Sequence, residues 1–145
     1  MKINMNMQRN LYKIGFVLIT LLTGLFANNK AIAQKKDMLI RISEIEIYPE
    51  HLTAYKVILQ EEAEASMKLE AGVVAIFPMY QKEDSTQIRI VEIYNGNKAY
   101  QSHLKTPHFL KYKTMTLKMV KALKLIDMDA IDPASMKLIF RKLKN

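Results

Sequence analysis

Two stretches of this chain are apolar on both of the faces that a β-strand presents. In 87–94, Ile88 and Ile90 point one way while Val91 and Ile93 point the other. In 73–81, Val73, Ala75 and Phe77 oppose Val74 and Ile76. An antiparallel sheet with one wet face would alternate apolar with polar residues, so both faces here need a cover. Two helices can cover one face. A second copy of the chain, packed sheet against sheet, is the simplest cover for the other. A different partner, or a hydrophobic ligand lying on that face, is the alternative.

The remaining elements follow from periodicity and punctuation. Met38–Tyr48 is rich in Ile and reads as a strand. Its alternation changes phase, with Ile40 and Ile42 on one face and Ile45 and Ile47 on the other, so either a bulge sits near Ser43–Glu44 or both faces are covered. Pro49 suits a first helical turn, and Leu52, Tyr55, Ile58, Leu59, Ala63 and Met67 then recur at helical spacing until Ala71–Gly72. Pro78 lacks a donor, which places the 73–81 strand at an edge or at a bulge. Residues 82–86 make a hairpin connection, and Asn95-Gly96-Asn97 is turn chemistry. A short helix is expected over 98–104. Thr106 then forms an N-cap with Pro107 at the first helical position. Phe109, Tyr112, Met115, Met119 and Leu123 supply the stripe of the next helix. Residues 127–135 read as loop and 136–141 as the last strand. The predicted fold class is α+β: a ferredoxin-like βαββαβ with a four-stranded antiparallel sheet and helices on one face.

The first 33 residues stand apart. Lys2, Arg9 and Lys13 precede Ile14–Phe26, thirteen residues without a charge, and Ala31-Ile32-Ala33 completes the three-part layout of a secretory signal peptide. Thirteen helical residues reach only about 20 Å, short of a ~30 Å hydrocarbon core, so no stable membrane anchor is expected after cleavage. Cleavage after Ala33 would leave 34–145 as the mature domain, secreted or periplasmic. There is no cysteine for lipid attachment or disulfides. Four of the 22 basic residues and none of the 14 acidic ones precede Gln34, so the mature chain carries 18 minus 14, or +4. The surplus at Lys111, Lys118, Lys121 and Lys124 reads as one solvated helical face. Nucleic-acid binding, which wants clustered Arg with exposed aromatics, is not expected.

Residues 92–109 concentrate the chemistry: one carboxylate, two histidines and several aromatics. Glu92 falls on the strand face of Ile88 and Ile90, where a carboxylate must be paired or protonated. It is either a tuned base or orienting group for His103, or a structural acceptor. His103, near the end of the short helix, is either a proton acceptor for a phenolic or enolic substrate or a wall residue fixing that helix to the sheet. His108 and His51 read as surface or structural. Tyr55, Tyr80, Tyr94, Tyr112 and Phe109 either line a flat apolar pocket or fill the core. No metal set is expected, because His103 and His108 are five apart, about 140° around a helix; only the break at 105–107 leaves a shared metal open. No glycine-rich phosphate loop, dinucleotide fingerprint or serine elbow argues for a nucleotide or flavin.

The ordered set Glu70-x-Gly72, Glu92-x-Tyr94, Ala99, His103, Thr106 and Phe109 on this frame resembles the antibiotic biosynthesis monooxygenase (ABM) family, over about 38–141 and in its small stand-alone quinol monooxygenase type. The resemblance implies a dimeric α/β barrel, a homodimer whose pockets lie between sheet and helices. It also implies oxidation of a small, flat, electron-rich quinol or polyphenol by O2 without a cofactor. Carried over, His103 is the base or orienter, Glu92 its partner, and Tyr94 and Phe109 pocket walls. The absence of tryptophan disfavours the haem-degrading branch. The alternatives are a non-catalytic binding or protective protein of the cell envelope, and an isomerase using the same pocket.

Overall fold

The structure is a computed structural model that describes residues 38–142; the expected signal peptide lies outside them. Strand β1 (Leu39–Ile47) leads through a 3-10 turn at Pro49–His51 into helix α1 (Leu52–Leu69). The hairpin β2 (Val73–Tyr80) and β3 (Gln87–Tyr94) follows. Helices α2 (Asn97–His103) and α3 (Pro107–Thr116) come next, then strand β4 (Val120–Met128) and helix α4 (Ser135–Lys142). The sheet has order β2-β3-β1-β4 with every pairing antiparallel, which is the ferredoxin-like arrangement. It remains an open sheet.

β1 and β3 pair in unbroken register from Leu39–Tyr94 to Glu46–Gln87, so there is no bulge at Ser43–Glu44. The phase change in β1 is instead a strand with two apolar faces. Ile45 and Ile47 turn inward to meet Tyr55, Leu59, Ile88 and Ile90 in the core. Ile40 and Ile42 share the opposite face with Val91 and Ile93, their partners across the ladder. A register shift between Val73 and Ala75 puts both Val73 and Ile76 into the core and leaves Phe77 on the outer face, 61% exposed. Pro78 sits on β2, an edge strand, where its missing N–H costs no ladder bond.

The end of the chain departs from the sequence expectation. Helix α3 stops at Thr116, and 120–128 form β4, so Met119 and Leu123 do not continue the helical stripe. Residues 136–141, expected as a strand, belong to α4. Both segments are rich in Leu, Lys and Met, which favour a helix intrinsically, and propensity alone cannot separate them. The free edge of β1 decides the matter, because 120–128 satisfies its row of backbone donors and acceptors from Ile40 to Ile47. The segment 136–142 pairs with no strand and starts a helix behind Asp132, whose side chain accepts the Ala134 N–H. The lysines accordingly do not form one helical face: Lys111 pairs with Glu61 from α3, and Lys121 with Glu46 from β4.

One close approach fixes where α2 lies. A Cβ added at Gly72 would stand 2.6 Å from the Ala99 Cβ, so only glycine fits beside α2 there. The Gly72 carbonyl accepts the Asn95 N–H at 2.8 Å, and Gly96 takes φ 86° to start α2. Gly72→Ala is expected to cost about 1–3 kcal/mol by overpacking, with a second change, Ala99→Gly, recovering most of it. Urea denaturation of the single and double variants measures both; a single variant as stable as the parent would refute the contact.

Candidate functional site

Between the inner sheet face and helices α1, α2 and α3 lies a cavity of about 550 Å³. Its wall is largely apolar, with Leu59, Ile90, Phe109 and Leu125 among the contributors. Ser43, Glu62, Glu92, Tyr94, His103 and Tyr112 add polar groups at defined points. A second groove, of about 510 Å³, runs between α1 and the β2 edge and is lined in part by Met67, Pro78 and Tyr80.

His103 is the last residue of α2 and is 3% exposed. Its ring packs against Phe109 and Tyr94, at centroid distances of 4.7 and 5.3 Å. Nδ1 lies 2.9 Å from Glu70 Oε1, while Nε2 lies 3.8 Å from Glu62 Oε1, beyond hydrogen-bond reach. Glu70 caps the C-terminal end of α1, where the helix dipole disfavours a carboxylate. Burial also acts to raise its pKa, but hydrogen bonds from His103 and from His108, whose Nε2 is 2.6 Å away, outweigh both and hold Glu70 below the usual carboxylate range. An ionised carboxylate only accepts, so both imidazoles donate to it. His103 therefore carries its proton on Nδ1 when neutral and leaves Nε2 bare toward the cavity.

Glu62, in the middle of α1, is driven the other way. Burial pushes its pKa up, against the Ser66 hydroxyl, which donates to Oε1 at 2.7 Å, and against both imidazoles. The Glu92 carboxylate accepts from Ser43 Oγ at 2.5 Å and from the Tyr94 hydroxyl at 2.8 Å. Burial, reinforced by Glu92, holds Tyr94 far above the ordinary tyrosine value. Burial likewise pushes Tyr112 up to about 12, while its hydroxyl shares a 2.7 Å hydrogen bond with that of Tyr55. Among the described residues no buried side-chain polar atom lacks a partner.

The residues expected from the sequence thus separate. His103, Glu92, Tyr94, Phe109 and Tyr112 meet at the cavity. Glu92 is not the hydrogen-bond partner of His103; that place belongs to Glu70, because the strand face holding Glu92 points it at Ser43 and Tyr94. Tyr55 is fully buried behind Tyr112, and Tyr80 lies in the other groove beneath the Lys56 ammonium, 3.7 Å from the ring centroid. Thr106 caps α3 by accepting the Phe109 N–H, and its hydroxyl donates to the His103 carbonyl at 2.8 Å. This turn brings the His103 and His108 rings to 6.4 Å, so a spacing that would part them on one helix instead joins them. Glu70, His103 and His108 offer three ligand atoms within 4.8 Å of one another.

A sequence profile described as "Antibiotic biosynthesis monooxygenase" matches residues 38–115. A crystal structure of a candidate antibiotic biosynthesis monooxygenase from Bacteroides thetaiotaomicron is 44% identical, with a TM-score of 0.67 over 68% of this chain and 94% of that one. The chain belongs to the ABM family. Two more distant structures share the ABM fold. One, from Nitrosomonas europaea, is 19% identical with a TM-score of 0.63, covering 67% of this chain and 93% of that one. The other, from Caulobacter crescentus, is 15% identical with a TM-score of 0.63, covering 69% and 95%. Among curated proteins none matches this sequence.

Within this ABM domain sequence reasoning gave no role to Glu62, to Ser43 or to the pairing of Glu70 with the histidines. Glu70 stood in the motif, but no local pattern joins it to a side chain 33 positions away. Glu62 carried a usable signal: it falls three residues after Leu59 and one before Ala63, beside the apolar stripe of α1.

The two α1 carboxylates should answer pH with opposite sign. The raised Glu62 contributes stability that is fully present below its ordinary value of 4.5 and is lost as pH climbs through the higher folded value. Glu62→Gln should therefore gain on the parent as pH rises from 4.5 through that value. The lowered Glu70 contributes stability present above 4.5 and lost as pH falls through its folded value. Glu70→Gln should cost about 1–3 kcal/mol at neutral pH and less in acid. Urea titrations between pH 3 and 8 would return slopes of the same sign if these environments were misassigned.

Proposed function

We propose that this ABM protein is a monooxygenase that oxidises a small, flat, electron-rich quinol or polyphenol with O2 as its only co-substrate. The observation that carries the reading is the His103 ring. Nδ1 is tied to an ionised carboxylate, and the bare Nε2 faces a largely apolar cavity wide enough for an aromatic ring. An imidazole held in that way is a proton acceptor. Tyr94 and Tyr112 are held protonated, so they shape the wall and do not compete as bases.

In this reading His103 Nε2 takes a phenolic proton, and the phenolate passes one electron to O2. The aryloxyl radical and superoxide then join at a ring carbon, and the peroxide anion so formed takes up one proton. Loss of water from the resulting peroxide leaves a quinone carbonyl, so that a hydroquinone and O2 give a hydroxyquinone and water.

Two further parts belong to the same proposal. The functional unit is a homodimer, because Ile40, Ile42, Phe77, Val91 and Ile93 gather on the sheet face that the helices do not cover. The mature chain is exported and begins at Gln34, a reading that rests on the charged, apolar and Ala-x-Ala sections of the leader. Among the described residues no helix is long and apolar enough to cross a membrane.

Oxygen uptake by the purified domain with a series of hydroquinones tests the activity. Turnover above the uncatalysed rate is expected, with His103→Gln lowering kcat by about 100-fold or more. Binding without oxygen uptake would favour a sequestering protein, and isomerisation without oxygen would favour the third alternative. Light scattering should give twice the chain mass, and Phe77→Asp should return it to one.

A further inference from the structure

Two imidazoles converge on one carboxylate oxygen. Glu70 Oε1 takes His103 Nδ1 at 2.9 Å and His108 Nε2 at 2.6 Å. These are direct hydrogen bonds; ligand atoms on one tetrahedral metal, each about 2.0–2.2 Å from it, would stand more than ~3 Å apart. His103 borders the cavity, whereas neither Glu70 nor His108 does, and the His108 side chain is 17% exposed against 3% for His103. The three residues therefore run from the cavity wall toward solvent.

Building on the proton-acceptor reading of His103, we propose that His103, Glu70 and His108 form a single-charge unit in which the two imidazoles hold one positive charge between them and exchange it during turnover. Charge counting motivates this. The one carboxylate hydrogen-bonded to both rings compensates one cation. Glu62 Oε1, 3.8 Å from His103 Nε2, accepts no hydrogen bond from it, and burial favours its neutral form, so a second positive ring 6.4 Å away would lack a partner of its own. When His103 Nε2 takes the phenolic proton, the O–H bond breaks and its electron pair stays on the substrate as phenolate. The new N–H makes His103 the cation. In the same event His108 gives the proton on Nδ1, its other ring nitrogen, to water. Both N–H bonds toward Glu70 persist throughout, so no proton crosses the carboxylate and the buried unit stays neutral.

Opposed local effects act on each placement of the charge. His103 ends α2, where the dipole favours a cation, but it is buried. His108 is the second residue of α3, where the dipole opposes a cation, but it is better solvated. Other titratable and charged groups face the unit as well: Glu62 from α1, Glu92 and Tyr94 from β3, Tyr100 from α2 with the Arg41 guanidinium over its ring, and Tyr112 from α3. None of these is hydrogen-bonded to either imidazole among the described residues.

His108→Gln separates a proton carrier from a merely structural donor, because glutamine keeps an N–H toward Glu70 and cannot hold the charge. With a hydroquinone whose oxidation the parent catalyses, this variant should lose about tenfold or more in kcat with KM nearly unchanged, and added imidazole should restore part of the rate. Equal kcat in variant and parent would overturn the proposal. Nitrogen-15 NMR of the ring atoms needs no substrate. The parent should titrate in two coupled steps, and His103 should titrate in one step in His108→Gln. Independent titrations, each unchanged when the other ring is replaced, would refute the unit even if oxygen uptake is found. A parent that oxidises no hydroquinone but shows coupled titration would leave the unit standing and remove the oxidase reading. A divalent metal bound stoichiometrically to the purified chain, with both rings shifting on chelation, would also overturn it.

Discussion

The contact between Gly72 and Ala99 is the constraint on which the site depends. It lets the backbone at the start of β2 touch the face of α2, with no side chain to hold them apart. Gly72 lies two residues after Glu70, and Ala99 one helical turn before His103, so the contact sets the distance between carboxylate and ring. The Asn95 N–H on the Gly72 carbonyl and the positive φ at Gly96 lock the same corner. Thr106 then carries the geometry forward, joining the His103 carbonyl to the start of α3 and bringing His108 round to the same oxygen.

The chemistry of the cavity follows from which groups this frame leaves unpaired. Ser43 and Tyr94 both spend their hydroxyl protons on Glu92, and Tyr55 and Tyr112 share one hydrogen bond between them. Ser66 does the same for Glu62. The ring nitrogen of His103 that is turned away from Glu70 has no hydrogen-bond partner among the described residues; Glu62 Oε1 stands 3.8 Å from it. In the proposed reading, largely apolar walls around that nitrogen select for size, flatness and a removable proton. If His103 is the base proposed above, Glu70 fills the orienting role that a buried carboxylate commonly has behind such a histidine.

The outer face of the sheet is the second consequence of the same strands. β3 packs Ile88 and Ile90 inward because α1 lies over them, and the alternation then forces Val91 and Ile93 outward. Their neighbours across the ladders, Ile42 and Ile40 on β1 and Phe77 on β2, extend the apolar surface across three strands. An apolar face of this kind is what the proposed isologous contact with a second copy would cover.

The fold was legible in the sequence as far as β3 and the two short helices, because strand alternation, Gly72, the Asn95-Gly96 turn and the Thr106–Pro107 cap are local signals read from adjacent residues. The family motif was legible for the same reason, and with it His103 and the aromatic wall at Tyr94 and Phe109. Past Thr116 the local signals ran out. Val120–Met128 and Ser135–Lys142 have similar intrinsic preferences, and the free edge of β1 made a strand of the first and not of the second. The partner of His103 was decided in the same way. The sequence pointed to Glu92, but burial within the sheet face sent Glu92 to two hydroxyls while the Gly72 corner brought Glu70 to the imidazole. Residue types and their periodicity determine which elements form; the charge partners of a buried ring depend on contacts between elements far apart in the chain, and only their packing fixes those.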